Sequence, residues 1–151
     1  MIKVITIGTI KEKYLKDAIS EYQKRLQKYI NLEIIELKDE GLVEIDKALH
    51  LEGEKIKKHL NDKDYIITLE IEGQQLDSIE FSKKLEKVQL ESSNIVFIIG
   101  GSYGLSSEIK AKARLHLSIS KMTFPHQLFR VILLEQIYRA YKIMHNESYH
   151  K

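Results

Sequence analysis

The stretch NIVFIIGGSYGLSS (residues 94–107) carries an unbroken apolar run into paired glycines, crosses a third glycine at Gly104, and ends on two serines suited to opening a helix. A continuous apolar run of this length marks a strand covered on both faces, the situation of a parallel sheet rather than of a sheet with one wet side. A strand that passes through a glycine turn into a helix is half of a βαβ unit. The turn itself admits two readings. Gly100, Ser102 and Gly104 fit G-x-S-x-G, the sharp turn that exposes a hydrolase serine. The same glycines also suit a cradle that brings bare backbone N–H and C=O groups against a ligand, with Ser102 incidental.

Outward from this turn, the pattern of strand followed by helix recurs. IKVITI (2–7) reads as a short buried strand. From Lys11, Leu15, Ala18, Ile19, Tyr22, Leu26 and Tyr29 recur at helical spacing. LEIIEL (32–37) is strand-like, residues 38–44 read as a loop, and Ile45, Ala48, Leu49, Ile56 and Leu60 mark a charged helix. YIITLEI (65–71) is a third strand, ended by Gly73. Asp77 with Glu80 predicts a helix cap, with Ile79, Leu85 and Val88 facing inward as far as about Glu91. After the glycine turn, Ser106 or Ser107 caps a short helix, Leu115, Leu117 and Ile119 alternate as a fifth strand, and a long helix runs from about Pro125 to Met144. The order predicts one α/β domain over residues 1–151, with a mainly parallel sheet and helices on both faces.

Within the last helix, LFRVILL (128–134) is apolar almost all round, broken only by Arg130. An outer helix of a monomer needs one apolar stripe, so the extra face asks for a second partner: a dimer, or more of the same domain.

Composition bounds the rest. With no cysteine, disulfides, thiolate metal sites and cysteine nucleophiles are excluded. The opening MIKVITIGTIKEKY turns polar too early for a signal peptide, and no stretch approaches the roughly 20 apolar residues of a membrane span. The expectation is a soluble, cytoplasmic protein. A pI of 8.6 is below the roughly 9 of a domain that is nucleic-acid footprint throughout. The charge is uneven, however: residues 100–151 hold eight Lys and Arg against three Asp and Glu, so an anionic partner should meet that end. Lys11, Lys13 and Lys16 either track a nucleic-acid backbone or form a solvated helix face.

Other chemistries find little support. The hydrolase order offers Glu135 and His145 or His150 downstream of Ser102, but Glu135 stands four residues before Arg139, the spacing of a helical ion pair. The dinucleotide fingerprint and the G-x-x-x-x-G-K-[ST] phosphate loop are absent. The six histidines form no H-x-x-x-H and do not stand beside carboxylates at ligand spacing, so no metal is expected. What remains is a backbone cradle for a small ligand at the carboxyl ends of strands.

FIIGGSYGL, LSISKMTFPHQLFRVILLEQIYRAYKI and the terminal SYHK together resemble the ribosomal RNA large subunit methyltransferase H family of SPOUT methyltransferases, and VITIGTIKEKY and IITLEIEG extend the resemblance along the chain. The resemblance implies a SPOUT-type α/β fold with a C-terminal trefoil knot, and a homodimer whose active sites are completed by the partner chain. It implies methyl transfer from S-adenosylmethionine to N3 of a pseudouridine in 23S ribosomal RNA, on the assembled ribosome, with no DNA or membrane partner. Carried over to this sequence, the cofactor should touch Leu69, Gly100 and the run Ile119, Ser120, Lys121, Met122, Thr123 and Phe124. The resemblance puts Arg139, Tyr149 and His150 on the substrate side, and His126 joins them as a catalytic candidate from its place in the chain. His126 follows the only proline, at the start of the last helix, a place for an imidazole acting as proton acceptor. Tyr149 and His150 lie where chains ordinarily fray, but the family's tail folds over the site. Arg139 is either a substrate-side group or the partner of Glu135, and Arg130 either binds a phosphate or caps its own interface. A non-catalytic RNA- or ribosome-binding module and a small serine hydrolase using Ser102 are the alternatives.

Overall fold

Alternation within the strands decides which helix covers which face of the sheet. Val4, Ile67 and Phe97 point to one side and Ile5, Ile66 and Val96 to the other, the period of two that a pleated strand imposes. The computed structural model describes residues 1–41 and 43–151. In them, strands and helices alternate as β1 (Ile2–Ile7), α1 (Lys13–Leu26), β2 (Leu32–Leu37), α2 (Ile45–Lys57), β3 (Tyr65–Gln75), α3 (Ser78–Glu91), β4 (Ile95–Ile99), α4 (Ser107–Lys112), β5 (Leu115–Ser118) and α5 (His126–Met144). The sheet order is β2-β1-β4-β3-β5, with every neighbouring pair parallel.

Steps from β1 to β2 and from β3 to β4 run one way along the sheet through α1 and α3; steps from β2 to β3 and from β4 to β5 run the other way through α2 and α4. Crossovers of a single hand require these two sets of helices to lie on opposite faces. The packing agrees. Leu26 of α1, Phe81 and Leu85 of α3, and Leu133 and Ile137 of α5 share a core with Val4, Ile67 and Phe97, whereas Ile56 of α2 and Ile109 of α4 pack on Ile5, Ile66, Val96 and Ile98. β4 is buried along its whole length, as its unbroken apolar run predicts. The caps at Asp77 and Ser106 are made: the Asp77 carboxylate accepts the Glu80 N–H at 2.7 Å, and the Ser106 hydroxyl accepts the Ile109 N–H at 3.3 Å. No helix among the described residues is long and apolar enough to cross a membrane.

Three sequence expectations need correction. Gly73 does not end β3, which continues to Gln75; Leu69 and Gln74 both oppose Leu117, so the residues between them bulge away from β5. Gly73 serves close approach instead, since a Cβ there would stand 2.7 Å from the His116 carbonyl oxygen. Ile79 is 45% exposed. The inward stripe is Phe81, Leu85 and Val88, and Ile79, two residues before Phe81, falls on the other side of the helix. Ile119 lies past the end of β5, where the Ser118 hydroxyl donates to the Ser120 carbonyl at 3.2 Å and the Ser120 hydroxyl accepts the Met122 N–H at 3.0 Å. Such local side-chain bonds turn the chain out of a strand.

Candidate active site

Beside the ends of β4 and β5, the loops that follow these two strands and the bulged part of β3 enclose a cavity of about 340 Å³. That falls in the roughly 300–1,000 Å³ range of small-molecule sites, at the strand ends where open α/β sheets place their ligands. One wall is the glycine turn. Gly104 donates its N–H to the Gly101 carbonyl at 3.0 Å, and the two residues form an antiparallel bridge. Gly104 holds φ at +80°, a conformation that favours glycine. At Gly100 a Cβ would stand 2.4 Å from the Gly104 carbonyl oxygen, so only a bare backbone fits. Ser102 is exposed at the tip of this turn.

The cavity gathers most of the residues proposed from sequence. Leu69, Gly100, Ile119, Ser120, Met122, Thr123 and Phe124 line it, together with His126 at the first position of α5. Lys121 is exposed and is not on the lining.

Arg139, Tyr149 and His150 form a separate group. Arg139 lies thirteen positions along α5 from His126, about 20 Å at 1.5 Å per residue. The ion pair with Glu135 expected from the spacing is present at 2.7 Å. Arg139 also stands 4.7 Å from the Tyr149 ring centroid and 3.1 Å from His150 Nδ1. A guanidinium only donates, so Nδ1 of His150 is the acceptor and the proton of the neutral ring sits on Nε2. The Tyr149 hydroxyl donates to Glu135 at 3.1 Å; burial first, and then that carboxylate, raises the phenol above its ordinary pKa. Behind this group, Asn146 turns the chain with φ at +54°. Glu147 then accepts the Tyr29 hydroxyl at 2.7 Å and the Lys142 ammonium at 2.8 Å. The terminus is therefore tied to α1 and α5.

Other assignments from sequence change. Arg130 is 3% exposed and is committed to Glu36 at 2.7 Å and to the carbonyls of Ile7 and Gly8 at 3.1 and 2.8 Å, so it neither faces a phosphate nor caps a surface. Lys13 is paired with Asp17 at 2.7 Å. The nominal hydrolase partners of Ser102 are engaged elsewhere, Glu135 and His150 with Arg139 and His145 against the Tyr29 ring. Contrary to the expectation for the histidines, His50 and Glu54, four apart on α2, meet Glu108 of α4 with ligand atoms within 4.8 Å. Lys57 already binds both carboxylates, at 2.5 and 2.8 Å.

Sequence reasoning also missed Glu70 and Lys110 on the cavity wall. Glu70 accepts the Thr68 hydroxyl at 2.6 Å and meets His116 Nδ1; Thr68 and His116 lie opposite each other in the β3–β5 register. Only that pairing joins them, and it depends on strand order.

An open parallel sheet with a glycine-walled pocket at its strand ends defines the class, and comparison with known proteins narrows it. A family model described as "Predicted SPOUT methyltransferase" matches residues 1–150. The fold resembles that of a probable methylase family protein from Haemophilus influenzae, with a TM-score of 0.57 and 14% identity over 99% of this chain and 70% of that one. The chain is 50% identical to the ribosomal RNA large subunit methyltransferase H of Clostridium acetobutylicum, covering 99% of both chains, and 51% identical to that of Caldicellulosiruptor bescii, covering all of both. The chain belongs to the SPOUT methyltransferases, in the ribosomal RNA large subunit methyltransferase H family.

Proposed function

We propose that this chain methylates N3 of a pseudouridine in 23S ribosomal RNA, on the assembled ribosome, as a cytoplasmic homodimer using S-adenosylmethionine. The observation that carries the reading is the glycine cradle: main chain so closely packed at Gly100 that no side chain fits, beside apolar walls, in a chain half identical throughout to relatives named for ribosomal RNA methylation. The cavity suits an adenosyl ligand. Bare backbone at the turn meets a purine edge, while Leu69, Ile119 and Phe124 offer cover for its faces. Leu69, Gly100 and the loop from Ile119 to Phe124 would hold it. When bound, the cofactor supplies a methyl on a sulfonium, open to in-line displacement by a nitrogen.

Alignment of the two reactants contributes most of the acceleration, and removal of the imide proton adds about 10²–10⁴-fold. His126 lines the cavity and would take that proton. His150 has its Nδ1 occupied by Arg139, so its Nε2–H donates to an imide oxygen or a neighbouring phosphate. Tyr149 has its hydroxyl engaged by Glu135, which leaves the ring to stack on the base.

Two features support a dimer. The Tyr149–His150 group packs beside Arg139, about 20 Å along α5 from His126, a separation that the tail of a second copy would remove. On α5, Leu128 is exposed and Phe129, Val131 and Ile132 are only partly covered, which leaves an apolar face for that second copy.

Mass spectrometry of ribosomal RNA from cells with and without this chain tests the reading, which expects one pseudouridine to lose its methyl. Deleting residues 149–151 should abolish methylation and leave cofactor affinity nearly intact; equal loss of both would refute the role of the tail. A binding module without catalysis would ignore S-adenosylmethionine altogether.

A further inference from the structure

Glu70 follows Leu69 at the point where β3 leaves its pairing with β5, and its side chain is 17% exposed on the cavity wall. Its two oxygens differ. Oε2 accepts the Thr68 hydroxyl and meets His116. Oε1 has as its nearest cation the Lys110 ammonium at 3.8 Å, beyond hydrogen-bond reach. Burial alone would raise the Glu70 carboxyl, but the bonds from Thr68 and His116 and the nearby charges outweigh it and hold the group below the usual carboxylate range. It is therefore an ionised acceptor on a cavity-lining residue, anchored through Oε2, with Oε1 free of any hydrogen bond among the described residues.

Resting on the cofactor reading above, we propose that Oε1 of Glu70 accepts a ribose hydroxyl of the adenosyl ligand. Such a ligand brings three kinds of donor: an amino-acid ammonium, the adenine amine and the ribose hydroxyls. The first is opposed at Oε1 by the like charge of Lys110. The second belongs with the flat base, whose edge and faces are met by the glycine turn and the apolar walls. A neutral hydroxyl meets neither objection. The solution has a physical parallel in dinucleotide folds, where a carboxylate near a strand end accepts a ribose hydroxyl. Glu70 is thus a selectivity group that reads an intact ribose, anchored by Thr68 and His116.

Calorimetry of the purified chain at neutral pH, with S-adenosylhomocysteine and its 2′-deoxy and 3′-deoxy analogues, tests this without any variant. Removing the correct hydroxyl should weaken binding about tenfold or more, as expected for a hydrogen bond to a charged acceptor. In Glu70→Ala the preference for the ribose compound over that analogue should shrink to within about twofold, while Lys110→Ala should retain it. Equal binding of all three compounds by the unaltered chain would overturn the contact while leaving the cofactor reading in place, as would a preference that persists in Glu70→Ala with an unchanged melting temperature. Failure of S-adenosylhomocysteine itself to bind would bring down the cofactor reading and the contact together.

Discussion

Gly100→Ala puts the closeness of the glycine turn to a quantitative test. The added methyl would stand 2.4 Å from the Gly104 oxygen and 2.5 Å from its carbonyl carbon. Unstrained heavy-atom contacts lie near 3.5–4.0 Å, so the overlap is about 1 Å. The obstacle is backbone, closed by the 3.0 Å bond from the Gly104 N–H to Gly101, and it has no rotamer to change. Either the turn opens and that bond is lost, or Gly100 is pushed off the end of β4. Overpacking costs about 1–3 kcal/mol and a lost hydrogen bond about 1 more, so roughly 2–4 kcal/mol is expected. For a chain of this length, each kcal/mol lowers the melting temperature by roughly 2–4 °C, giving a fall of about 4–16 °C.

The neighbouring glycines calibrate the result. A methyl on Gly101 meets the Ile7 side chain at 3.0 Å, which can yield by a small shift; one on Gly104 meets nothing within 4 Å but inherits φ +80°, a strain of about 1–2 kcal/mol. Thermal unfolding and calorimetry with S-adenosylhomocysteine on the three alanine variants should rank Gly100 worst in both, with affinity reduced about tenfold or more as the wall moves. A Gly100→Ala chain that melts within about 2 °C of the unaltered one and binds as tightly would refute the argument that this wall is main chain in contact with main chain.

Ser102→Ala should leave melting temperature and methylation within about twofold, because its side chain is exposed at the turn tip; a methylation assay that collapses would revive a chemical role for the hydroxyl. Arg130→Ala leaves the Glu36 carboxylate and two carbonyls without their donor, and urea unfolding should show a loss of about 3 kcal/mol, the low end for a broken buried pair because Glu36 is 38% exposed. Glu147 is held down to about 2, mainly by the Lys142 bond and then by the Tyr29 hydroxyl. A carboxyl depressed on folding stabilises the attached tail above its ordinary value of 4.5, and that contribution disappears as pH falls through about 2. The Tyr149 ring resonances should therefore move toward free-tail positions over that acid range, and Glu147→Gln should remove the acid step and loosen the tail already at neutral pH.

What was legible in the residues was what one element decides for itself. Apolar runs at 2–7, 32–37 and 94–99 and the caps at Asp77 and Ser106 depend on neighbours a few positions away, and they stand where the pattern places them. Gly73 was misread because a glycine inside a strand signals either a stop or a close approach, and only the position of His116 on the adjacent strand distinguishes the two. Arg130 was misread for a related reason: its partners, Glu36, Ile7 and Gly8, lie more than 90 residues away in sequence and are brought together by the β1–β2 pairing. Glu70 and His116 form a site only through the β3–β5 register. The cavity residues became visible through resemblance, since Leu69 and Ile119 in isolation are ordinary core positions.

The excess of positive charge in the last third, which suits an anionic partner, contracts once its pairs are drawn. Arg130 faces Glu36, Arg139 faces Glu135, Lys142 faces Glu147, Arg114 faces Glu91 and Lys110 faces Glu70. Lys112, Lys121 and Lys151 are left without an ion-pair partner among the described residues. Exposed pairs contribute little to stability, but each cancels a charge that would otherwise draw a phosphate. Two of the three remaining cations flank the proposed machinery: Lys121 sits in the loop between the cavity residues Ser120 and Met122, and Lys151 follows His150. If the tail of one chain closes the cavity of another, those two ammonium groups come to the same place. The positive charge facing a polyanionic substrate then concentrates at the junction of the two chains, and a lone chain would present only half of it at either site.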